Sequence, residues 1–178
     1  MSKRIIRVFV VLGAVFILSD IGVLIYKQIA KTIRYDTPVE SFEKSAPFGS
    51  ELIDILEVDN FALVVYKKRN NASTFQVIAE NDSKWDSMVV EYKNIKLLKA
   101  KNSIVDITYI DGKYIIILTV ISEENESVQV RDSLNTEFNM ISYDSAEDKY
   151  LSFFLGVVAE DSIQDYKIWI NNEELTVF

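Results

Sequence analysis

Residues 105–121 read VDITYIDGKYIIILTVI, and this stretch decides the fold class. Asp111-Gly112 at its centre is a strong two-residue hairpin signal, because both positions tolerate the positive φ that a tight turn between twisted strands demands. Before the turn, Val105, Ile107 and Tyr109 alternate with Asp106 and Thr108, the period of a strand with one covered face. That alternation places Asp106 on the outer, solvated face. After the turn, residues 114–121 (YIIILTVI) form an unbroken apolar run rich in β-branched side chains. Such a run suits a central strand covered on both faces.

The same pattern recurs outward in both directions. Residues 61–66 (FALVVY) form a second central run. Phe75 and Val77 alternate with Gln76, and Val128 and Val130 with Gln129 and Arg131. Asp59-Asn60, Asn70-Asn71 and Asn171-Asn172 are weaker turn pairs. Residues 150–159 (YLSFFLGVVA) read as a strand with Gly156 at a bend, with a buried helix as the alternative. Counting such runs predicts about nine or ten strands over residues 51–178, a mainly β domain built as an antiparallel β-sandwich or curled sheet. No internal repeat is present.

The amino-terminal part obeys a different rule. Residues 5–26 read IIRVFVVLGAVFILSDIGVLIY, 22 residues long. As a helix they span about 33 Å, enough to cross a hydrocarbon core of about 30 Å. Basic residues flank both ends, Arg7 is close enough to the end to snorkel, and Tyr26 suits the headgroup level. No small-x-small cleavage site follows Leu18, and the apolar run resumes at residues 21–26, so the stretch reads as an uncleaved anchor. Asp20 is its one acid, costly near the middle of a span. It reads as a contact to a basic or polar group on another transmembrane helix or a second copy, or else as a carboxylate that is protonated or reaches water. Ile25, Ile29 and Ile33 continue the helical spacing beyond Tyr26.

Thr37 then suits an N-cap, Pro38 the first helical position and Glu40 the far side of a capping box. The resulting short helix is broken by Ala46-Pro47-Phe48-Gly49-Ser50 and is expected to pack through Val39 and Phe42. The domain organisation is therefore a basic anchor and stalk at 1–35, a short helix and linker at 36–50, and an acidic β-domain at 51–178.

The formal charge of −8 conceals this division: residues 1–35 carry +5 and the remainder −13. The basic residues on the two sides of the span are nearly balanced, and the reading taken is amino end inside, β-domain outside the cell membrane. A surface at −13 is a poor partner for nucleic acid, whose binding rests on cations meeting phosphates. The chain has no Cys and no His. Disulfides, Cys nucleophiles, Cys/His zinc sites and an imidazole base are therefore excluded. There is no glycine-rich phosphate loop and no GxSxG elbow. Acidic turns at 123–126 and 144–148 do not match the EF-hand spacing.

Carboxylates remain the only abundant catalytic type, and a glycosidase-like acid pair is the enzyme they would make. No motif singles out such a pair, so no catalytic, cofactor-binding or metal residue is assigned. Two tryptophans are candidate interface residues. Trp169 alternates away from Tyr166, Ile168 and Ile170 onto a polar face with Lys167, and Trp85 stands between Lys84 and Asp86; the alternative for each is a place beneath a neighbouring helix or loop.

The order of parts, a basic amino-terminal helix, then Thr37-Pro38-Val39-Glu40, then strands of the type at 52–58 and 61–66, resembles small membrane-anchored proteins of Bacillus-like Gram-positive bacteria. The likeness covers residues 1–70, implies a location, and carries over no site residue. The expected function is that of a membrane-anchored, non-enzymatic accessory protein that binds another membrane or envelope protein. The alternatives are an immunity or inhibitor protein for a basic toxin or enzyme, and a carboxylate-based cell-wall hydrolase.

Overall fold

Asp111 and Gly112 take φ of 49° and 78°, and so turn β7 (Ser103–Ile110) directly into β8 (Lys113–Glu123). Asn171 and Asn172, at 48° and 68°, do the same between β12 (Lys167–Ile170) and β13 (Glu173–Thr176). The computed structural model describes residues 3–90, 92–100, 102–123, 127–145 and 149–177, with side chains throughout except at 3–14, 16, 30, 100 and 143–145.

The strands form three antiparallel sheets. The first has the order β1 (Arg34–Tyr35), β5 (Lys84–Asp86), β4 (Ser73–Asn81), β3 (Phe61–Lys67), β2 (Glu51–Val58). The middle sheet runs β10 (Asn139–Ser145), β11 (Lys149–Ala159), β8, β7, β6 (Asn94–Ala100). The third is β13, β12, β9 (Val130–Asp132).

The sheets stack, and β8 shows why. Ile115 and Ile117 pack toward Phe61, Leu63 and Val65 of the first sheet. Ile116, Leu118 and Val120 pack toward Tyr166, Ile168 and Ile170 of the third. An apolar run without alternation has two faces to cover, and here a separate sheet covers each. Strand β3 solves the same problem differently. Its Leu63 and Val65 face the middle sheet, while Ala62, Val64 and Tyr66 lie under α2 (Pro38–Ser45) and Trp85.

The two-layer expectation thus becomes three sheets and a helix. Among the described residues twelve strands lie from residue 51 onward, where nine or ten are expected. Strands β5, β9, β12 and β13 are only three or four residues long, so each shows the strand period once or twice at most. Residues 150–159 are strand, within β11. Its pairing with β8 passes through Gly156 opposite Ile116 without a shift, so Gly156 makes no bend. It makes room instead: a Cβ there would stand 2.5 Å from Cε1 of Phe138.

Helix α2 begins as its sequence demands. The Glu40 amide donates to Thr37 Oγ1 at 3.1 Å, and the Glu40 carboxylate accepts from the Asp36 amide at 3.0 Å. Phe42 is buried, with its ring 5.8 Å from that of Tyr66. Val39 is exposed, and Ser41 packs in its place, its hydroxyl donating to the Asp86 carbonyl at 2.6 Å.

The amino-terminal helix α1 (Lys3–Ala30) is 28 residues long. Among the described residues no helix is long and apolar enough to cross a membrane, and most of residues 5–18 lie outside those whose side chains are described. From Val15 onward its described apolar side chains, among them Ile17, Leu18, Ile21, Val23, Leu24, Ile25 and Ile29, are exposed. They point to every side of the helix except a narrow stripe that Asp20 and Lys27 share at i, i+7.

Candidate functional site

The chain passes from the first sheet to the middle one between Asp86 and Asn94, and a cleft opens where the described residues of this segment, 87–90 and 92–93, cross. Strand β5 pairs with β4 only at Glu80–Trp85 and Asn81–Lys84, so the rest of β4 has no strand on that side. The Gln76 amide fastens the crossing segment there, donating to the Val90 carbonyl at 3.1 Å and to that of Met88. The resulting cleft holds about 800 Å³. Its walls are mostly apolar: Phe75, Val77, Met88, Val89, Val90, Tyr92 and Ile117, with the exposed Tyr26 and Phe48 beside them.

Asp106 and Thr108 are the polar contribution of β7 to this cleft. Asp106 is half-buried, and its Oδ1 is buried with no hydrogen-bond partner among the described residues. Burial pushes its carboxyl above the usual aspartate range, and a hydrogen bond from the Asn94 side chain opposes that shift. The solvated position expected for Asp106 is therefore corrected. Alternation correctly sends it opposite Val105 and Ile107, but β7 belongs to the middle sheet, whose second face looks at the first sheet and not at water.

Asp86, nearby in sequence to the crossing segment, is buried and fully engaged. Its carboxylate pairs with the Arg34 guanidinium and accepts from the Tyr92 hydroxyl. Burial, foremost, pushes that hydroxyl up to about 12. This cluster clasps β1, and with it the end of α1, to the first sheet. Asp106 is thus the one acid among the described residues lining the cleft, with no second carboxylate facing it there.

Trp169 lies half-exposed on the outer face of the third sheet, opposite Arg131 on β9 and Glu174 on β13. The Arg131 guanidinium carbon sits 5.2 Å from the Trp169 ring centre, a cation–π contact. Lys167 Nζ bonds Glu174 Oε1 at 2.7 Å and holds that carboxyl below its usual range. A groove of about 510 Å³ runs from Trp169 and Arg131 to Phe138 and the exposed Met140.

Trp85, the other candidate interface residue, is buried beneath α2 among Phe42, Val64 and Met88. It belongs to the core: the helix supplies the cover that strand alternation alone cannot reveal. Asp20 lies exposed on α1 with no hydrogen bond or ion pair among the described residues. The structure therefore brings none of Asp20, Trp85 and Trp169 together.

One buried polar pair had no signal in the sequence. Asp132 accepts from the Tyr166 hydroxyl at 2.6 Å and from the amides of Thr136 and Leu134 at 2.8 and 3.1 Å. Burial and the adjacent carboxylate raise the Tyr166 hydroxyl. The pair fastens the third sheet internally and faces no opening. Residues 124–126 and 146–148, which hold most of the two acidic turns, lie outside the described residues; among the described residues no cluster of acids is set to hold a metal ion. No family model, no curated protein and no solved structure matches the chain.

Proposed function

We propose that this is a membrane-anchored accessory protein that acts by docking, with α1 in the bilayer, its amino end inside, and the β-domain outside. One observation carries the reading: the described part of α1 exposes apolar side chains on nearly every side, and no sheet of the domain covers them. A helix apolar over most of its circumference needs an apolar medium around it, not one packed partner. Lys27, Lys31 and Arg34 follow at its carboxyl end, where cations meet headgroups. In this reading Asp20 meets a polar or basic group on a neighbouring transmembrane helix, and the Trp169–Arg131 face receives the partner protein. A half-exposed aromatic stacked by arginine is the kind of anchor that docking surfaces use.

Protease treatment of intact cells carrying a tag after Phe178 tests the arrangement. The expected result is loss of the tag with a short membrane-bound stub retained. A tag protected until the membrane is permeabilised would overturn the orientation and turn the search toward a cytoplasmic partner.

A further inference from the structure

The cleft between the first and middle sheets has no part in the docking reading, and its composition is one-sided. We propose that it binds a small hydrophobic amine, whose ammonium is held by Asp106 Oδ1 and whose apolar body lies against Phe75, Val77, Met88 and Ile117.

Four observations converge on that chemistry. At about 800 Å³ the cleft has the size of sites that enclose small organic molecules. Its walls are apolar and partly aromatic, which favours a hydrocarbon or aryl body. Among the described residues no Lys or Arg lines it, so a carboxylate or phosphate ligand would meet Asp106 with none of those cations to offset the repulsion. Finally, Asp106 Oδ1 is a buried acceptor without a donor among the described residues. A buried acceptor left unsatisfied is costly, and an ammonium supplies both the missing donor and the opposite charge.

The raised pKa of Asp106 agrees with this reading, because burial without a countercharge is its main cause. A bound cation would reverse that shift. Affinity should therefore weaken as pH falls and Asp106 takes up its proton. Tyr26 of α1 borders the cleft, but the residues named for binding all belong to the β-domain, so the inference stands or falls separately from the topology experiment.

The test uses the full chain in neutral-lipid nanodiscs, titrated calorimetrically with three ligands of matched size: 2-phenylethylammonium, 2-phenylethanol and phenylacetate. Empty nanodiscs serve as the control for partitioning. The ammonium should bind at least about tenfold tighter than the alcohol, the ratio that one charge-assisted hydrogen bond supplies, and phenylacetate should not bind. Asp106→Asn should bring the ammonium down to the level of the alcohol while raising the melting temperature, since it removes a buried charge without changing shape. Val89→Trp, which fills the cleft and leaves Asp106 in place, should abolish binding of both. Equal affinity for all three ligands, or ammonium binding unchanged in Asp106→Asn and Val89→Trp, would overturn the proposal.

Discussion

Strand β8 and helix α1 are both continuous apolar runs, and they meet opposite fates. Every side chain from Ile115 to Leu118 is buried, two of them under each neighbouring sheet. From Val15 to Ile29 the described apolar side chains of α1 are exposed, and nothing among the described residues covers them. Hydrophobicity is therefore not what distinguishes the two. The difference lies in what the described residues provide as cover: two sheets for β8 and none for α1, for which we propose lipid.

Placing one carboxylate in each run sharpens that contrast, and gives the largest effect. Ile116→Asp buries an unpaired charge at a fully enclosed position and should abolish folding of the domain, seen as loss of the cooperative unfolding transition by circular dichroism. Ile21→Asp, in the exposed part of α1, should leave that transition unchanged and reduce only the fraction that sediments with membranes. Unfolding curves for the two variants that coincide would break the comparison.

The junction between the two regions is next. Arg34→Met leaves the buried Asp86 carboxylate with Tyr92 alone, and should cost about 1–3 kcal/mol in urea unfolding, the usual penalty of a buried polar group that loses a partner. Gly156→Ala probes the back of β8 from its neighbour β11. The added methyl meets Phe138, which is only half-buried and can shift, so a cost near the low end of about 1–3 kcal/mol is expected.

The smallest effect is a gain. Burial raises the Asp106 pKa in the folded chain, so folding favours its protonated form. That contribution is complete below the ordinary aspartate pKa of about 3.9 and is lost as pH rises through the folded value. Asp106→Asn escapes the loss. Its melting temperature should match that of the parent at the acid end and exceed it increasingly as pH rises, levelling off above the folded pKa. A constant offset at all pH values would deny the titration.

These outcomes also mark what could be read from the amino-acid order. The β8 and β3 runs, the Asp111-Gly112 and Asn171-Asn172 turns and the Thr37 cap are local signals, and each appears where its residues demand it. The third sheet was legible only in pieces. The alternation at 128–131 and 166–170 and the Asn171-Asn172 turn mark its strands, but nothing local shows that β9 joins β12, because 34 residues intervene. Asp106 was misplaced, and Trp85 stayed open between interface and covered core, for one shared reason. Alternation says which residues lie on opposite faces of a strand, but not whether a second layer covers the polar-looking face. For Asp106 that layer is the first sheet, and for Trp85 it is α2. The cleft is hidden from the sequence for the same reason, because it exists only between layers.

The central claim is that the apolar surface of α1 is covered by lipid, and flotation of the purified full chain with liposomes in a density gradient tests it most directly. The account predicts that the protein rises with the vesicles and stays with them after an alkaline wash, and that Ile21→Asp weakens this retention while the domain stays folded. A parent chain that remains at the bottom of the gradient, as a soluble monomer or as an assembly whose helices cover one another, would contradict it.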